Sequence, residues 1–286
     1  MVRCARALLW MTGLCLSLIA SAQTATEVRV DSLDAAVKLP GYWFPAQNGP
    51  APRPAVVALH GCDGLLDPKG RLSAGRLRYA RLLNEAGIGV LFTESFVPRG
   101  ETSICSQKGS VRRITEEDRR LDVYGALQWL AGQEGVDGRR LGVVGWSHGG
   151  QTVLSSADLS SEVVSGAAVK PAALVAFYPG CDKVLKRFRY AVAAPTLVMS
   201  GALDDWTPPA PCRRLTSGLQ GDVGKPVVQY LEFADSYHAF DSSLPPRERS
   251  DVGGTRSGKA TVGGNPVARE ESACAMVSFL KTHLAK

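Results

Sequence analysis

A serine in a glycine-rich turn is the residue of this sequence best placed to do chemistry. Ser147 lies in the stretch 145–149, Gly-Trp-Ser-His-Gly, which has the pattern G-x-S-x-G. A strand-like apolar run precedes it and a helical pattern follows, the setting in which a sharp turn exposes a serine as nucleophile. Glycines two positions away avoid steric collisions, and the helix N-terminus stabilises negative charge near the hydroxyl. The motif predicts a nucleophile; the alternative is a glycine-rich turn with an idle serine.

A nucleophilic serine needs a base, and the base needs a carboxylate that orients it. The sequence offers four histidines. His60 and His148 lie beside glycines in predicted turns, and His283 lies in the last predicted helix. His238 follows the last predicted strand, where the chain order serine, acid, histidine places the base. We predict His238 as the base, the alternative being a histidine of a surface loop.

The carboxylate is expected after the predicted strand 196–199, where Asp204 and Asp205 follow each other. Either residue can instead be a plain turn or capping residue. Thr207 and Pro208 already provide a predicted helix cap and first helical residue, so neither aspartate is needed for that. Asp204 is the preferred candidate, and Asp205 stays as the alternative.

A tetrahedral intermediate needs hydrogen-bond donors for its oxyanion. The backbone N–H of His148, directly after the serine, is the first candidate. The second is the N–H of Cys62, in the loop 60–64, His-Gly-Cys-Asp-Gly, whose glycines let the backbone turn toward the serine. A generic tight turn is the alternative interpretation of this loop.

Two further residues are candidates for substrate binding. Arg99 follows the predicted strand 88–92 and can hold a substrate carboxylate, although a surface or ion-pair role is the commoner one. Trp206, beside the acid loop, is a candidate pocket wall or a packing residue. Cysteines and histidines do not cluster with metal-ligand spacing, and no phosphate-binding glycine loop is present, so neither a metal nor a cofactor is expected.

The elements that must position these residues follow from hydrophobic patterning. Continuous apolar runs alternate with helical patterns, which predicts a mostly parallel α/β sheet with helices on both faces. The N-terminal pieces 27–30 and 35–44 have no helix between them and predict an antiparallel start. The short connection from 177 to 196 leaves no room for a large lid domain. Residues 247–267, rich in glycine, serine and charge, are predicted to form a mobile surface loop. The predicted strands are 55–59, 88–92, 141–145, 173–177, 196–199 and 227–233, and the predicted helices are 77–86, one opened by a capping box of Thr115 and Asp118, 150–156 and 271–284.

The first 22 residues have the pattern of a secretory signal peptide. Arg3 and Arg6 precede an uncharged, mostly apolar run at 7–20, and Ala-Ser-Ala at 20–22 predicts cleavage before Gln23. The run is shorter than the about 20 residues of a membrane-spanning helix, so we expect no stable membrane insertion after cleavage, an uncleaved anchor being the alternative. Residues 23–286 are then one domain, exported to the periplasm or the medium.

Composition is typical of a globular protein and gives little support for nucleic-acid binding. Of the 286 residues, 45% are apolar and 21% charged, which excludes a disordered chain. The formal net charge of +6 is spread along the chain without a long basic run, so nucleic acid is not an expected partner. The expected partner is a small-molecule substrate.

The motifs together resemble the dienelactone hydrolase family of the α/β-hydrolase fold. The resemblance rests on residues 59–62 (Leu-His-Gly-Cys), 145–150 (Gly-Trp-Ser-His-Gly-Gly), 201–204 (Gly-Ala-Leu-Asp) with Pro208, and 238–241 (His-Ala-Phe-Asp). It implies a triad of Ser147, Asp204 and His238, and supports Asp204 over Asp205. The enzymes that give the family its name use cysteine as nucleophile.

Ser147 at the cysteine position makes a general ester or acyl hydrolase a better expectation than a hydrolase of dienelactone itself. The resemblance thus implies a serine hydrolase that cleaves a carboxylic ester or related acyl bond through an acyl-enzyme, and the signal-peptide pattern predicts that it is secreted. The alternatives are a serine peptidase resembling the prolyl oligopeptidase group, or a non-catalytic binding protein on a hydrolase scaffold.

The fold implied by the resemblance also predicts cysteine pairing. It places the strands that precede Cys181 and Cys212 side by side, and likewise those that precede Cys62 and Cys105. An exported protein meets an oxidising compartment, so we expect the disulfides Cys181–Cys212 and Cys62–Cys105. Cys274, on the closing helix, is expected to remain a buried thiol. The alternative is that all five are reduced.

Overall fold

The computed structural model describes residues 25–219, 224 and 226–285; the predicted signal peptide lies outside the described residues. Its centre is an eight-stranded sheet in the order β1-β2-β4-β3-β5-β6-β7-β8. β1 and β2 are antiparallel to their neighbours, and all other pairs are parallel. This is the predicted mixed α/β sheet with an antiparallel start. The strands are β1 (Thr26–Asp31), β2 (Lys38–Phe44), β3 (Arg53–Leu59), β4 (Gly89–Thr93), β5 (Val136–Trp146), β6 (Ala173–Phe177), β7 (Thr196–Gly201) and β8 (Val228–Phe233).

Helices cover both faces of the sheet. Side chains of α2, α3 and α6 pack on one face, and those of α1 and α7 pack on the other. All residues of β4 and β6 are buried, which explains why these strands are continuous apolar runs without alternation. The predicted capping box at Thr115 and Asp118 is present. The helices are α1 (Ala74–Glu85), α2 (Glu116–Ala131), α3 (His148–Ala157), α4 (Glu162–Ser165), α5 (Asp182–Leu185), α6 (Pro209–Leu219) and α7 (Pro266–Leu284).

The connection from β6 to β7 carries only the one-turn helix α5, so no large lid is inserted there. Among the helices of the described residues, none is long and apolar enough to cross a membrane.

The segment 247–267 is not the mobile surface loop that its composition suggests. It contains two short antiparallel strands, β9 (Arg247–Arg249) and β10 (Ala260–Val262). Val262 bridges to His238, and the Gly253 N–H donates to the Cys105 carbonyl at 2.7 Å. These backbone contacts, which local composition does not encode, hold the segment against the loops that carry His238 and Cys105.

Both expected disulfides are present, Cys62–Cys105 and Cys181–Cys212. Cys274 keeps its thiol, as predicted, but it is exposed rather than buried. Ala273 and Met276 of α7 face the core. Because successive helix positions are about 100° apart, Cys274 is turned outward.

Candidate active site

The turn between β5 and α3 holds Ser147 in a conformation that few residues adopt. Its φ is 54° and its ψ −114°. A Cβ added to Gly145 would lie 2.3 Å from the Gly149 carbonyl oxygen, and one added to Gly149 would lie 2.4 Å from the Leu59 carbonyl oxygen. Both glycines are therefore sterically required, which is the physical reason for the G-x-S-x-G pattern.

Side chains that follow three parallel strands, β5, β7 and β8, meet at this turn. Ser147 follows β5, Asp204 follows β7 and His238 follows β8. His238 Nε2 lies 2.9 Å from Ser147 Oγ, and His238 Nδ1 lies 2.8 Å from Asp204 Oδ2. The Asp204 and His238 residues are each 3% exposed, so the chain of hydrogen bonds is shielded from water. In this geometry a histidine can accept the serine proton while the carboxylate stabilises the imidazolium.

Asp204 is held in place by its own loop. Its Oδ1 accepts the N–H groups of Trp206 and Thr207 at 2.9 and 2.8 Å. The Thr207 hydroxyl lies 2.9 Å from Asp204 Oδ2. Thr207 was expected to cap a helix with Pro208 as first residue, but α6 begins at Pro209 and the hydroxyl serves the carboxylate instead. A fixed carboxylate fixes the orientation of the histidine ring.

Asp205 points away from this hydrogen-bond chain. Its two carboxylate oxygens accept the N–H and the hydroxyl of Thr261 at 2.8 and 3.0 Å. Of the two candidate aspartates, only Asp204 is hydrogen-bonded to His238 in the described part of the chain.

The loop after β3 lies directly against the serine. A Cβ added to Gly61 would be 3.5 Å from Ser147 Cβ. The next residue, Cys62, is pinned by its disulfide and by its carbonyl, which accepts the Ile104 N–H at 2.8 Å and the Ser103 hydroxyl at 3.1 Å. Among the described residues, no acceptor is recorded for the Cys62 N–H, and the first N–H groups of a helix such as α3 have no intrahelical acceptor. Both expected oxyanion donors, Cys62 and His148, therefore belong to segments that adjoin Ser147.

The other two histidines near the serine are buried and serve as scaffolding. His60 Nε2 accepts the Ser95 N–H at 3.2 Å, and burial lowers the pKa of His60. Burial and the neighbouring Arg119 hold the pKa of His148 well below its ordinary value. Both rings are neutral at pH 7, and neither contacts the Ser147 hydroxyl.

A cavity of about 660 Å³ opens over Ser147 and His238. Four Tyr and Trp side chains contribute to its walls. The Trp206 ring centroid lies 4.8 Å from that of His238, so Trp206 takes the wall position considered for it. The cavity's aromatic side chains are Tyr79, Trp146, Tyr178 and Trp206.

Arg99 does not line this cavity, which corrects the expectation that it holds a substrate carboxylate. Its guanidinium donates to both oxygens of Asp122 at 2.9 and 2.8 Å and to the Ser95 carbonyl at 2.7 Å. Asp122, on α2, is fully buried. A buried carboxylate requires a cation, and Arg99 is held by that requirement.

Sequence analysis missed a set of arginines around the cavity mouth. Arg76 lies 3.6 Å from Asp63 and Arg78 lies 2.8 Å from Glu270, so two of them are paired. Asp241 accepts hydrogen bonds from two tyrosines. The spacing of Arg78 and Arg81 on a predicted helix was the only local signal. The mouth is lined by Arg76, Arg78, Arg81, Arg247, Arg249 and Arg269, against the carboxylates of Asp63 and Asp241.

Within the described residues, no group of three or more His, Cys, Asp or Glu side chains is arranged to hold a metal ion.

Known protein families and solved structures share sequence pattern or fold with this chain. The model of the dienelactone hydrolase family matches residues 90–284. No curated protein sequence matches the chain. Among solved structures, a dienelactone hydrolase-like promiscuous phosphotriesterase from metagenomic libraries has a TM-score of 0.64 at 20% identity, covering 91% of this chain and 99% of its own.

Two further solved structures share the fold. Dienelactone hydrolase from Anabaena variabilis has a TM-score of 0.62 at 17% identity and covers 91% of this chain and 98% of its own. Thermogutta terrifontis esterase 2, phosphorylated by paraoxon, has a TM-score of 0.62 at 16% identity and covers 92% and 95%. At these identities the structures establish a shared α/β-hydrolase fold.

The two aspartates after β7 are expected to differ sharply on substitution. Asp204→Asn removes the carboxylate that orients His238 and should slow phosphonylation of Ser147 by a fluorophosphonate by about 10⁴-fold, the scale of such a change in serine proteases. Asp205→Asn should leave the rate near that of the unaltered protein. A larger loss in Asp205→Asn would reverse the assignment of the acid.

The two disulfides offer a matched pair of variants. Replacing Cys62 and Cys105 by serine, or Cys181 and Cys212 by serine, should each lower the free energy of unfolding by about 4 kcal/mol in the chain-entropy model, measured by urea denaturation. Only the Cys62/Cys105 variant should also slow Ser147 phosphonylation under conditions where both variants are folded, because only that bridge anchors a predicted oxyanion donor. Equal phosphonylation rates would contradict a role of this bridge at the site.

Proposed function

The chain belongs to the dienelactone hydrolase family and is a hydrolase of ester bonds, and we propose that it cleaves carboxylic esters through a triad of Ser147, His238 and Asp204. The observation that carries the proposal is the unbroken hydrogen-bond chain of 2.9 and 2.8 Å from the Ser147 hydroxyl to the Asp204 carboxylate. We further propose that residues 23–286 form one domain that is exported after removal of residues 1–22. Its two disulfides support an oxidising compartment.

In the first half-reaction, His238 Nε2 accepts the proton of Ser147 Oγ as that oxygen attacks the ester carbonyl carbon. The carbonyl oxygen becomes an oxyanion, which the N–H groups of Cys62 and His148 stabilise. When the intermediate collapses, the bond to the alcohol oxygen breaks and His238 gives its proton to that oxygen. The products are an alcohol and an acyl-Ser147.

In the second half-reaction, His238 takes a proton from a water molecule that attacks the acyl carbon. The second tetrahedral intermediate forms at the same two N–H groups. Its collapse returns the proton to Ser147 Oγ and releases the carboxylic acid. Asp204 accepts the His238 Nδ1–H throughout and stabilises the imidazolium that each half-reaction creates.

The cavity supports a substrate that combines an aromatic or apolar part with an anionic group. Tyr79, Trp146, Tyr178 and Trp206 offer apolar walls. Arg249 lies with its guanidinium carbon 5.4 Å from the Trp206 ring, close to the His238 end of the cavity. Among the described residues, no carboxylate lies within ion-pair distance of Arg249, so an anionic substrate can bind there without displacing a protein partner.

The proposal is tested by labelling with a fluorophosphonate followed by peptide mass spectrometry. A single label on Ser147 is expected, and Ser147→Ala should lose both the label and ester turnover while its thermal unfolding is unchanged, since a triad serine typically contributes several orders of magnitude in rate. Labelling without turnover of any ester would favour a binding protein on a hydrolase scaffold. Matched anilides hydrolysed faster than the esters would favour a peptidase.

Substrate charge is tested with paired aryl esters of succinate and of butyrate, which differ in a terminal carboxylate. We expect a higher kcat/KM for the succinate, with the difference shrinking at high salt because exposed charges are screened. Arg249→Gln should lower kcat/KM for the succinate by about tenfold, the scale of one charge-assisted hydrogen bond, and leave the butyrate value unchanged.

Arg213→Gln is the control for that substitution, because Arg213 pairs with Glu232 and does not line the cavity. Arg213→Gln should leave kcat/KM unchanged for both esters. An equal loss on both esters in Arg249→Gln would mean that the residue shapes the cavity rather than recognising an anion.

A further inference from the structure

Arg119 is a buried arginine that the reaction scheme does not use. It lies on α2 and has no solvent-exposed surface. Its Nη2 donates to the His60 carbonyl at 3.0 Å, and its Nη1 donates to His148 Nδ1 at 2.8 Å. The guanidinium also lies over the Phe96 ring, 5.1 Å from the centroid. One side chain thus joins the loop after β3 to the first residue of α3.

The positive charge of Arg119 is not neutralised by direct contact. Burial lowers its pKa to about 10, which leaves it protonated at neutral pH. Within the described residues, no carboxylate lies within ion-pair distance of it. The nearby Asp122 is bound by Arg99, and Glu94 accepts the N–H groups of Leu65 and Phe96 at 2.8 and 2.7 Å.

A buried cation without a contacting anion is costly to fold. Groups of this kind concentrate at functional sites, where a charge is held ready for the reaction. The two groups that Arg119 contacts indicate that its positive charge faces the oxyanion formed in the reaction. His60 is two residues before Cys62, and His148 itself carries the second predicted oxyanion donor.

We propose that Arg119 is a positioning residue for the oxyanion site, clamping the segments of Cys62 and His148 and holding positive charge behind them. This inference rests on the proposed function. The Arg119 hydrogen bond also requires His148 Nδ1 to be unprotonated, which fixes the ring as the Nε2–H tautomer. Arg119 therefore fixes the His148 ring and the His60 carbonyl. His148 carries one of the two predicted N–H donors, and His60 lies two residues before Cys62, which carries the other.

A clamp of this kind acts on the transition state more than on the substrate. Preorganised donors lower the energy of the oxyanion, whereas the neutral ester carbonyl gains little from them. Loss of Arg119 should therefore lower kcat and leave KM nearly unchanged. A residue that only stabilised the fold would change the amount of active protein, not the balance between kcat and KM.

The experiment compares Arg119→Met, Arg119→Lys and Arg120→Met in kcat and KM for a neutral ester. Arg120 is the next residue on α2 and donates to the Ser155 hydroxyl at 3.1 Å, away from the cavity. Active-site concentration is counted by fluorophosphonate labelling carried to completion. We expect Arg119→Met to lose about 100-fold in kcat with KM within about twofold, the scale of one lost oxyanion donor. Arg119→Lys, which keeps the charge and one donor, should recover part of that loss, and Arg120→Met should match the unaltered protein.

A kcat in Arg119→Met within about threefold of that in Arg120→Met would overturn the inference, as would a loss confined to KM. If Arg119→Met does not fold, Arg119→Lys decides. A kcat reduced at unchanged KM supports the clamp, and a kcat equal to that of the unaltered protein overturns it. Failure of the proposed function has a different signature, because the unaltered protein and Arg120→Met would then be neither labelled nor active, and the inference would fall with it.

Discussion

The backbone of Ser147 is the constraint on which the rest of the site depends. A residue at φ 54° and ψ −114° is held there only when its surroundings over-determine it. Here Gly145 and Gly149 approach each other, and Gly149 in turn packs against the carbonyl of Leu59. A side chain at position 145 would therefore collide with the start of α3, and one at position 149 would collide with the end of β3.

The register of the sheet delivers that neighbour. Leu59 of β3 lies opposite Gly145 of β5, so both strands end at the same level and the loops that follow them meet. β6, β7 and β8 continue the parallel register, with Gly201 opposite Phe233. The acid and the histidine leave the sheet just beyond that pair. Parallel pairing thus brings Ser147, the loop with Cys62, Asp204 and His238 together at the carboxyl ends of the strands, where hydrogen bonds join Ser147, His238 and Asp204.

The sequence predicts well those features that depend on the parallel pairing of the strands. Apolar runs reveal the strands, and chain order then assigns Ser147 and His238 roles that stay predictions until activity is measured. Asp204 and Asp205 are adjacent, and a local pattern cannot tell which one reaches His238; the distant Thr261 settles the geometry by binding Asp205. The prediction that Arg99 binds substrate is wrong for a related reason, because its partner Asp122 is remote in sequence and fully buried.

The segment 247–267 shows the same limit on a larger scale. Its glycines, serines and charges are typical of a solvated loop, and composition contains no signal of the partners that fix it. The Trp206 indole N–H donates to the Gly253 carbonyl at 3.2 Å, and Gly253 binds Cys105, whose disulfide holds Cys62. The loop that carries Asp204 and the loop that carries Cys62 are thereby joined through a segment whose local composition predicts mobility.

Two arginines near α2, the partly exposed Arg99 and the fully buried Arg119, differ in whether a carboxylate contacts them. Asp122 is the only fully buried carboxylate in contact with either, within the described chain, and both of its oxygens bind Arg99. Arg119, one helical turn before Asp122, is left to bind His60 and His148. The positive charge of Arg119 therefore differs in its proposed function from the charges of the arginines that line the cavity. An arginine that lines the cavity, such as Arg249, would attract an anion that the proposed substrate already carries and so strengthen binding. Arg119 is fully buried beside the segments of the two proposed oxyanion donors, and the oxyanion exists only during the reaction. A buried positive charge at this position lowers the stability of the folded protein. We infer that it lowers the energy of the transition state more than that of the bound substrate, so its loss should reduce kcat and leave KM nearly unchanged.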